Sequence, residues 1–151
     1  MSEVWRPSVT VAAVIERGGQ FLLVEEEVDG RRVLNQPAGH LDPGESLVEA
    51  CRREVLEETA HRFAPRALVG IYRWHYAPKD VTFLRFCFCG ELEGIESGRS
   101  LDRGILAARW LSLDALREER LPHRSPLVEK CVRDFLAGRR FPLELLSAEF
   151  A

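Results

Sequence analysis

The chain of 151 residues is poor in several things that would have narrowed its class. It has no run of about 18 consecutive apolar residues, so no membrane-spanning helix is expected. The first ten residues include Glu3, Arg6 and Pro7 and lack the apolar stretch of a secretory signal, so a cytoplasmic location is expected. Only four cysteines occur. Cys87 and Cys89 are two apart and Cys51 and Cys131 stand alone, which is neither a zinc spacing nor a disulfide framework, and buried free thiols are expected. Net charge is -3, from 24 acids against 21 bases, which disfavours a nucleic-acid polymer as ligand but leaves room for a small phosphorylated molecule held by a local site. No repeat or low-complexity linker divides the sequence. Its length and its 46% hydrophobic and 30% charged residues fit one globular domain over 1–151.

The pattern of elements is mixed. Ser8–Ile15 is β-branched and apolar and reads as a strand. Arg17-Gly18-Gly19-Gln20 is a turn, followed by a strand at Phe21–Val24. Glu25, Glu26 and Glu27 read as a hydrated strand end. A short strand at Arg32–Asn35 stops at Pro37, and Gly39–Gly44 reads as a loop. Ser46 with Glu49 three residues on is a capping box, which predicts a helix to about His61. Strands are expected over Ala67–Trp74, Thr82–Leu92 and Ala107–Leu111. A helix follows Ser112, and another opens at Ser125-Pro126 and ends near Gly138. Without regular βαβ alternation, this order predicts an α/β (α+β) fold with a mixed sheet covered by helices on both faces. Trp5 and Trp110 are expected in the core, and Phe135 is expected to pack the last helix on the sheet.

The chemistry concentrates in Gly39–His61. Glu54, Glu57 and Glu58 stand at i, i+3 and i+4, so their carboxylates share one helix face. Like charges at that spacing repel, and acids in the second half of a helix oppose its dipole. A bound divalent cation would replace the repulsion with coordination, and hard oxygen donors suit Mg²⁺, or Mn²⁺. The competing explanation is a solvated acidic face paired with Arg52, Arg53 and Arg62. Ala38, at the end of the preceding strand, could add a backbone carbonyl to the same metal. Glu45 is placed to reach Arg53 and tie loop to helix.

Gly39, Glu45, Arg53-Glu54, Val55, Leu56 and Glu57-Glu58, at their fixed spacing, resemble the Nudix box, the signature of the Nudix hydrolases, over residues 39–61. Ala60 stands where that pattern has glycine and His61 where it has an aliphatic residue. Leu34–Leu41, Phe83–Phe86, Ser125–Val128 and Gly138–Leu143 extend the likeness to the NudJ branch of the family.

The resemblance implies an α/β/α sandwich and a Mg²⁺-dependent hydrolase of diphosphate linkages. Its implied substrates are nucleoside di- and triphosphates, or hydroxymethylpyrimidine diphosphate and thiamine diphosphate, with release of phosphate. It implies Ala38, Glu54, Glu57 and Glu58 at the metal and Arg53 beside them. Glu54 is the first choice of general base; Asp102 and Glu96 are later-loop alternatives. Arg73, Trp74 and Arg85, with His75 and Tyr76 near them, are expected to bind substrate by stacking and phosphate contact. His40 and His61 are expected at the surface or behind the ligands. The rivals are a house-cleaning nucleotide pyrophosphatase that releases inorganic diphosphate and a Nudix-fold sensor that binds without cleaving. Monomer and homodimer both fit.

Overall fold

A computed structural model describes residues 2–147. Strand β1 (Ser8–Val14) lies inside a five-stranded sheet, parallel to β7 (Val81–Ile95) on one side and antiparallel to β5 (Ala38–His40) on the other. Strand β6 (His61–Tyr76) continues the sheet beyond β7, and β9 (Phe141–Pro142) closes that edge. A second sheet joins β2 (Glu16–Arg17), β3 (Gln20–Val28), β4 (Arg31–Asn35) and β8 (Ile105–Leu111).

Strand alternation sorts β1 into two cores. Val11 and Ala13 face helix α1 (Leu47–Thr59) and pack with Ala50, Cys51, Val55, Phe63 and Phe88. Ala12 and Val14 face α2 (Leu113–Glu118) and α3 (Leu127–Leu136), against Leu116, Val128, Cys131 and Val132. Because both faces of β1 are covered, its sequence from Val11 onward is a continuous apolar run and not an alternating one. The expected sandwich is therefore present. Phe135 meets Phe21 edge to face at 5.8 Å and packs α3 onto the sheet. All four cysteines are buried and free. Among the described residues no helix is long and apolar enough to cross a membrane.

Several expectations change. The first part of the predicted Gly39–Gly44 loop is strand, because residues 38–40 pair with β1 in the register Thr10↔His40. The two middle strands are longer than read and form one hairpin through a 3-10 turn at Ala77–Lys79. Helix α1 stops at Thr59, two residues early, because Ala60 takes a left-handed conformation at φ 60° and gives its N–H to the Leu56 carbonyl. Alanine thus occupies the conformation that a glycine adopts without strain. The Glu25–Glu27 run is no hydrated end: β3 runs through it to Val28, paired with β4 and β8. Trp5 is 69% exposed and not core. Trp110 is partly buried, with the Arg17 guanidinium 4.6 Å from its ring centre.

Candidate active site

A cleft of about 550 Å³ opens where β5, α1, the tip of the β6–β7 hairpin and the start of α3 meet. Helix α1 begins where the capping sequence predicts, with Ser46 Oγ accepting from the Glu49 N–H at 3.0 Å. Its last turn carries no basic residue, and Glu54, Glu57 and Glu58 line the cleft.

Each acid is held differently. Glu58 Oε1 accepts from the Ala38 N–H at 2.9 Å, across to β5. Glu54 Oε1 accepts from Arg53 Nη1 at 2.8 Å, and Glu57 Oε2 accepts from the same nitrogen at 3.1 Å. Arg53 is itself fixed from the loop side. Its Nε and Nη2 donate to the two oxygens of Glu45 at 2.9 and 2.7 Å, and Nη2 also donates to the His40 carbonyl at 3.0 Å. The Glu45–Arg53 tie read from the sequence is therefore present, and it aims one guanidinium at two carboxylates.

Gly39 sets the closest approach. A Cβ there would overlap all three atoms of the Glu54 carboxyl group, so the side chain rests directly on the backbone of β5. Asp102 reaches the cleft through the helix end. Its N–H donates to the Glu57 carbonyl at 2.9 Å, satisfying one of the carbonyls a helix terminus leaves open, and this brings the Asp102 side chain beside Glu57. The other later-loop candidate, Glu96, is not among the residues lining the cleft and pairs with Arg99 at 3.0 Å.

The electrostatics follow from burial and crowding. Burial, with Glu57 and Asp102 adding repulsion and Arg53 opposing, pushes the Glu54 carboxyl up to about 7. Burial pushes Glu58 up to about 9 against the Ala38 hydrogen bond, with Glu26, Glu54 and Asp102 adding to it. Glu57 is raised by burial and by Asp102. One arginine does not neutralise the group. Among the described residues no three acidic or histidine side chains are already converged on a common coordination point, since the carboxylates face Arg53 and the Ala38 N–H. As a donor set they still fit a hard divalent cation: all are oxygen donors, crowded at a cost that a cation would offset.

The opposite wall carries aromatic and basic side chains. Trp74 and Phe83 stack at 5.7 Å with 17° between their planes. Arg85, 6% exposed, lies on the cleft floor. Arg73 is not brought in: it is exposed and absent from the cleft lining, because alternation along β6 turns it away from the face that carries Trp74. His75 binds Asp80 at 2.9 Å, outside the cleft. Tyr76 lines an adjoining cavity of about 400 Å³. His40 is exposed at the cleft rim, and His61 is half-buried against the Thr59 carbonyl. Sequence reasoning missed Glu26, Asn35 and Arg124, all of which line the cleft. No local pattern marks Glu26, since three consecutive acids interrupt the apolar run and only pairing with β4 and β8 keeps it in a strand.

A model of the NUDIX domain matches residues 4–131 of the chain. The Phosphatase NudJ of Shigella boydii is 42% identical over 144 residues, covering 95% of this chain and 92% of that protein. Its counterpart from Escherichia coli K12 matches to the same extent, 42% over 144 residues. A NUDIX hydrolase structure from Nitrosomonas europaea superposes with a TM-score of 0.92 at 51% identity, covering 95% of this chain and 97% of the other. Nudix hydrolases are generally dependent on a divalent metal and act on small nucleotide-like substrates. With the box residues assembled on α1 and these relatives matched along most of its length, the chain belongs to the Nudix hydrolases, enzymes that cleave phosphorus anhydrides.

Proposed function

We propose that the chain is a Mg²⁺-dependent hydrolase of small organic diphosphates and triphosphates that releases orthophosphate. Nucleoside di- and triphosphates and hydroxymethylpyrimidine diphosphate are the substrate classes. The observation that carries this is the pairing, in one cleft, of the crowded acids Glu54, Glu57, Glu58 and Asp102 with the stacked aromatic side chains of Trp74 and Phe83. The acids suit a cation that in turn suits phosphate; the aromatic side chains suit a planar ring. The relatives named Phosphatase NudJ support orthophosphate as the product.

Glu54, Glu57 and Glu58, with the Ala38 backbone, would hold Mg²⁺ (or Mn²⁺), which when bound supplies charge to offset the phosphate oxygens. Arg53 keeps Glu54 and Glu57 in register through its Glu45 anchor. Glu54, lodged on Gly39 within the acid cluster, is the proton acceptor for the attacking water. Asp102 is the second candidate, because it alone of the later-loop acids considered lines the cleft.

The test is product analysis on a panel of diphosphates and triphosphates, with and without Mg²⁺. Orthophosphate from a diphosphate, only when Mg²⁺ is present, is expected. Inorganic diphosphate from triphosphates alone would identify a nucleotide pyrophosphatase. Tight binding without turnover would identify a sensor.

A further inference from the structure

Glu26 belongs neither to the acid set of α1 nor to the hydrophobic core, yet the fold aims it into the cleft. The pairing of β3 with β8 shifts register between Glu25 and Glu26, the kind of bulge that redirects a side chain. Glu25 pairs with Arg109 at 2.7 Å, while Glu26 lines the cleft with Trp74 and Arg85.

A buried hydrogen-bond chain fixes what Glu26 offers. Gln36 donates through Nε2 to the Val128 carbonyl at 2.6 Å, so its Oε1 is left to accept from Arg85 Nη1 at 2.9 Å. Arginine only donates, so the Asn35 oxygen must be the atom that accepts from Arg85 Nη2 at 2.9 Å. The Asn35 amide nitrogen is then turned to Glu26 and donates to Oε1 at 3.3 Å. Arg124 Nε lies 3.8 Å from that same Oε1. Glu26 Oε2 receives none of these donors. Since no buried side-chain nitrogen or oxygen among the described residues lacks a partner, Oε2 is not sealed off, and Glu26 lines the cleft. Burial raises the Glu26 carboxyl above its ordinary value, and the Asn35 hydrogen bond and Arg124 charge oppose that rise.

We propose that Glu26 reads the edge of the substrate ring, with Oε2 accepting from an exocyclic amino group while the ring lies beside Trp74 and Phe83. A carboxylate accepts from the amino groups of cytosine or guanine. It meets carbonyl oxygen with repulsion where an oxo group replaces the amine. This deepens the proposed function and rests on it for the identity of the substrate as a ring-bearing diphosphate.

The experiment measures kcat/KM for GDP against IDP and for CDP against UDP with Mg²⁺ at one fixed pH. Each pair contrasts a base bearing an exocyclic amine with one that lacks it. The expected preference for the amino member is about tenfold or more, the worth of a hydrogen bond to a charged acceptor. Glu26→Gln is expected to bring both ratios close to one. Equal rates within both pairs in the unsubstituted enzyme would overturn the proposal, whatever the variant does. So would a Glu26→Gln variant that loses activity by one common factor on all four substrates, since Glu26 would then act with the α1 acids. Titration of GMP against IMP and CMP against UMP reads the ring preference without cleavage. Amino preference there, with no hydrolysis of any diphosphate, sinks the hydrolase reading and leaves ring reading standing; Mg²⁺-dependent hydrolysis with no preference does the reverse.

Discussion

Replacing Gly39 by alanine separates the position of Glu54 from its chemistry. The added methyl would occupy the space of the entire Glu54 carboxyl group, and the obstructed atoms are the far end of a flexible side chain. The side chain will therefore swing away and the backbone of β5 will stay. Swinging loses the 2.8 Å bond to Arg53, but it also returns a buried carboxyl, raised to about 7, toward solvent. A hydrogen bond to a charged group is worth about 1.5–3 kcal/mol. Recovered hydration offsets much of that, so the net loss of stability is about 1 kcal/mol and the midpoint of thermal unfolding falls by about 2–4 °C. Activity responds differently, because an acid acting on developing charge or on a metal must sit in place. Its displacement is expected to lower kcat by about 10²–10³. Phosphate release and thermal unfolding on the same preparation check both numbers. The double variant Gly39→Ala/Glu54→Ala must be no slower than Glu54→Ala alone, since the methyl then has nothing to displace. Near-normal turnover by Gly39→Ala, or full multiplication of the two defects in the double variant, would refute the role given to the Glu54 seat.

Three further outcomes follow from the same geometry. Glu57→Gln or Glu58→Gln is expected to cut metal-dependent turnover by about 10² or more with the far-ultraviolet circular dichroism spectrum unchanged; near-normal turnover by either would remove it from the ligand set. Ala60→Gly relieves a left-handed alanine at φ 60° and is expected to raise stability by about 1 kcal/mol in urea unfolding, where any loss would place the strain elsewhere. Metal-free protein is expected to lose stability as pH rises: Glu54 and Glu58 hold protons in the folded state up to about 7 and about 9, whereas the unfolded chain releases them near 4.5, so the unfolding free energy falls across that window. The slope is about 1.4 kcal/mol per pH unit for each such group; urea titrations with a chelator at the two ends of the window measure it, and stability that climbs instead would contradict the assigned burial.

How much the sequence disclosed depended on whether local or distant forces set the feature. The start of α1 was legible because Ser46 and Glu49 form their cap within one turn, and the acid face was legible because i, i+3 and i+4 fix it on any helix. The sandwich was legible from element order. Trp5 was misread because side-chain type says nothing of whether a partner arrives, and none covers it among the described residues. Arg73 was misplaced because a strand's parity is knowable only when one member is anchored; the packing of Tyr72 on the α3 side settles it. Glu26 was discounted because charge runs usually end in water, and only pairing with β4 and β8 kept this one in a strand. The Asn35–Arg85 link joins residues fifty positions apart. No local pattern announces such a contact.

The places where α1 departs from ordinary local preference are not scattered. Acids occupy the helix end that favours bases, an alanine takes a glycine's conformation at the exit, and a carboxyl rests on bare backbone at Gly39. A helix selected for stability alone would avoid all of them, since each carries a free-energy cost and no hydrophobic gain accompanies them. Their convergence makes sense together. The sharp exit at Ala60 lets the chain turn back, and the open Glu57 carbonyl at that exit is what captures the Asp102 N–H and delivers a fourth acid. The bare backbone at Gly39 is what lets the Glu54 carboxyl group seat against β5. Local strain is thus the means by which α1 and the Asp102 segment present charge of one sign to one small volume beside β5. Keeping that volume charged is costly without something of opposite charge, and this cost is the physical ground for the cation proposed to sit there.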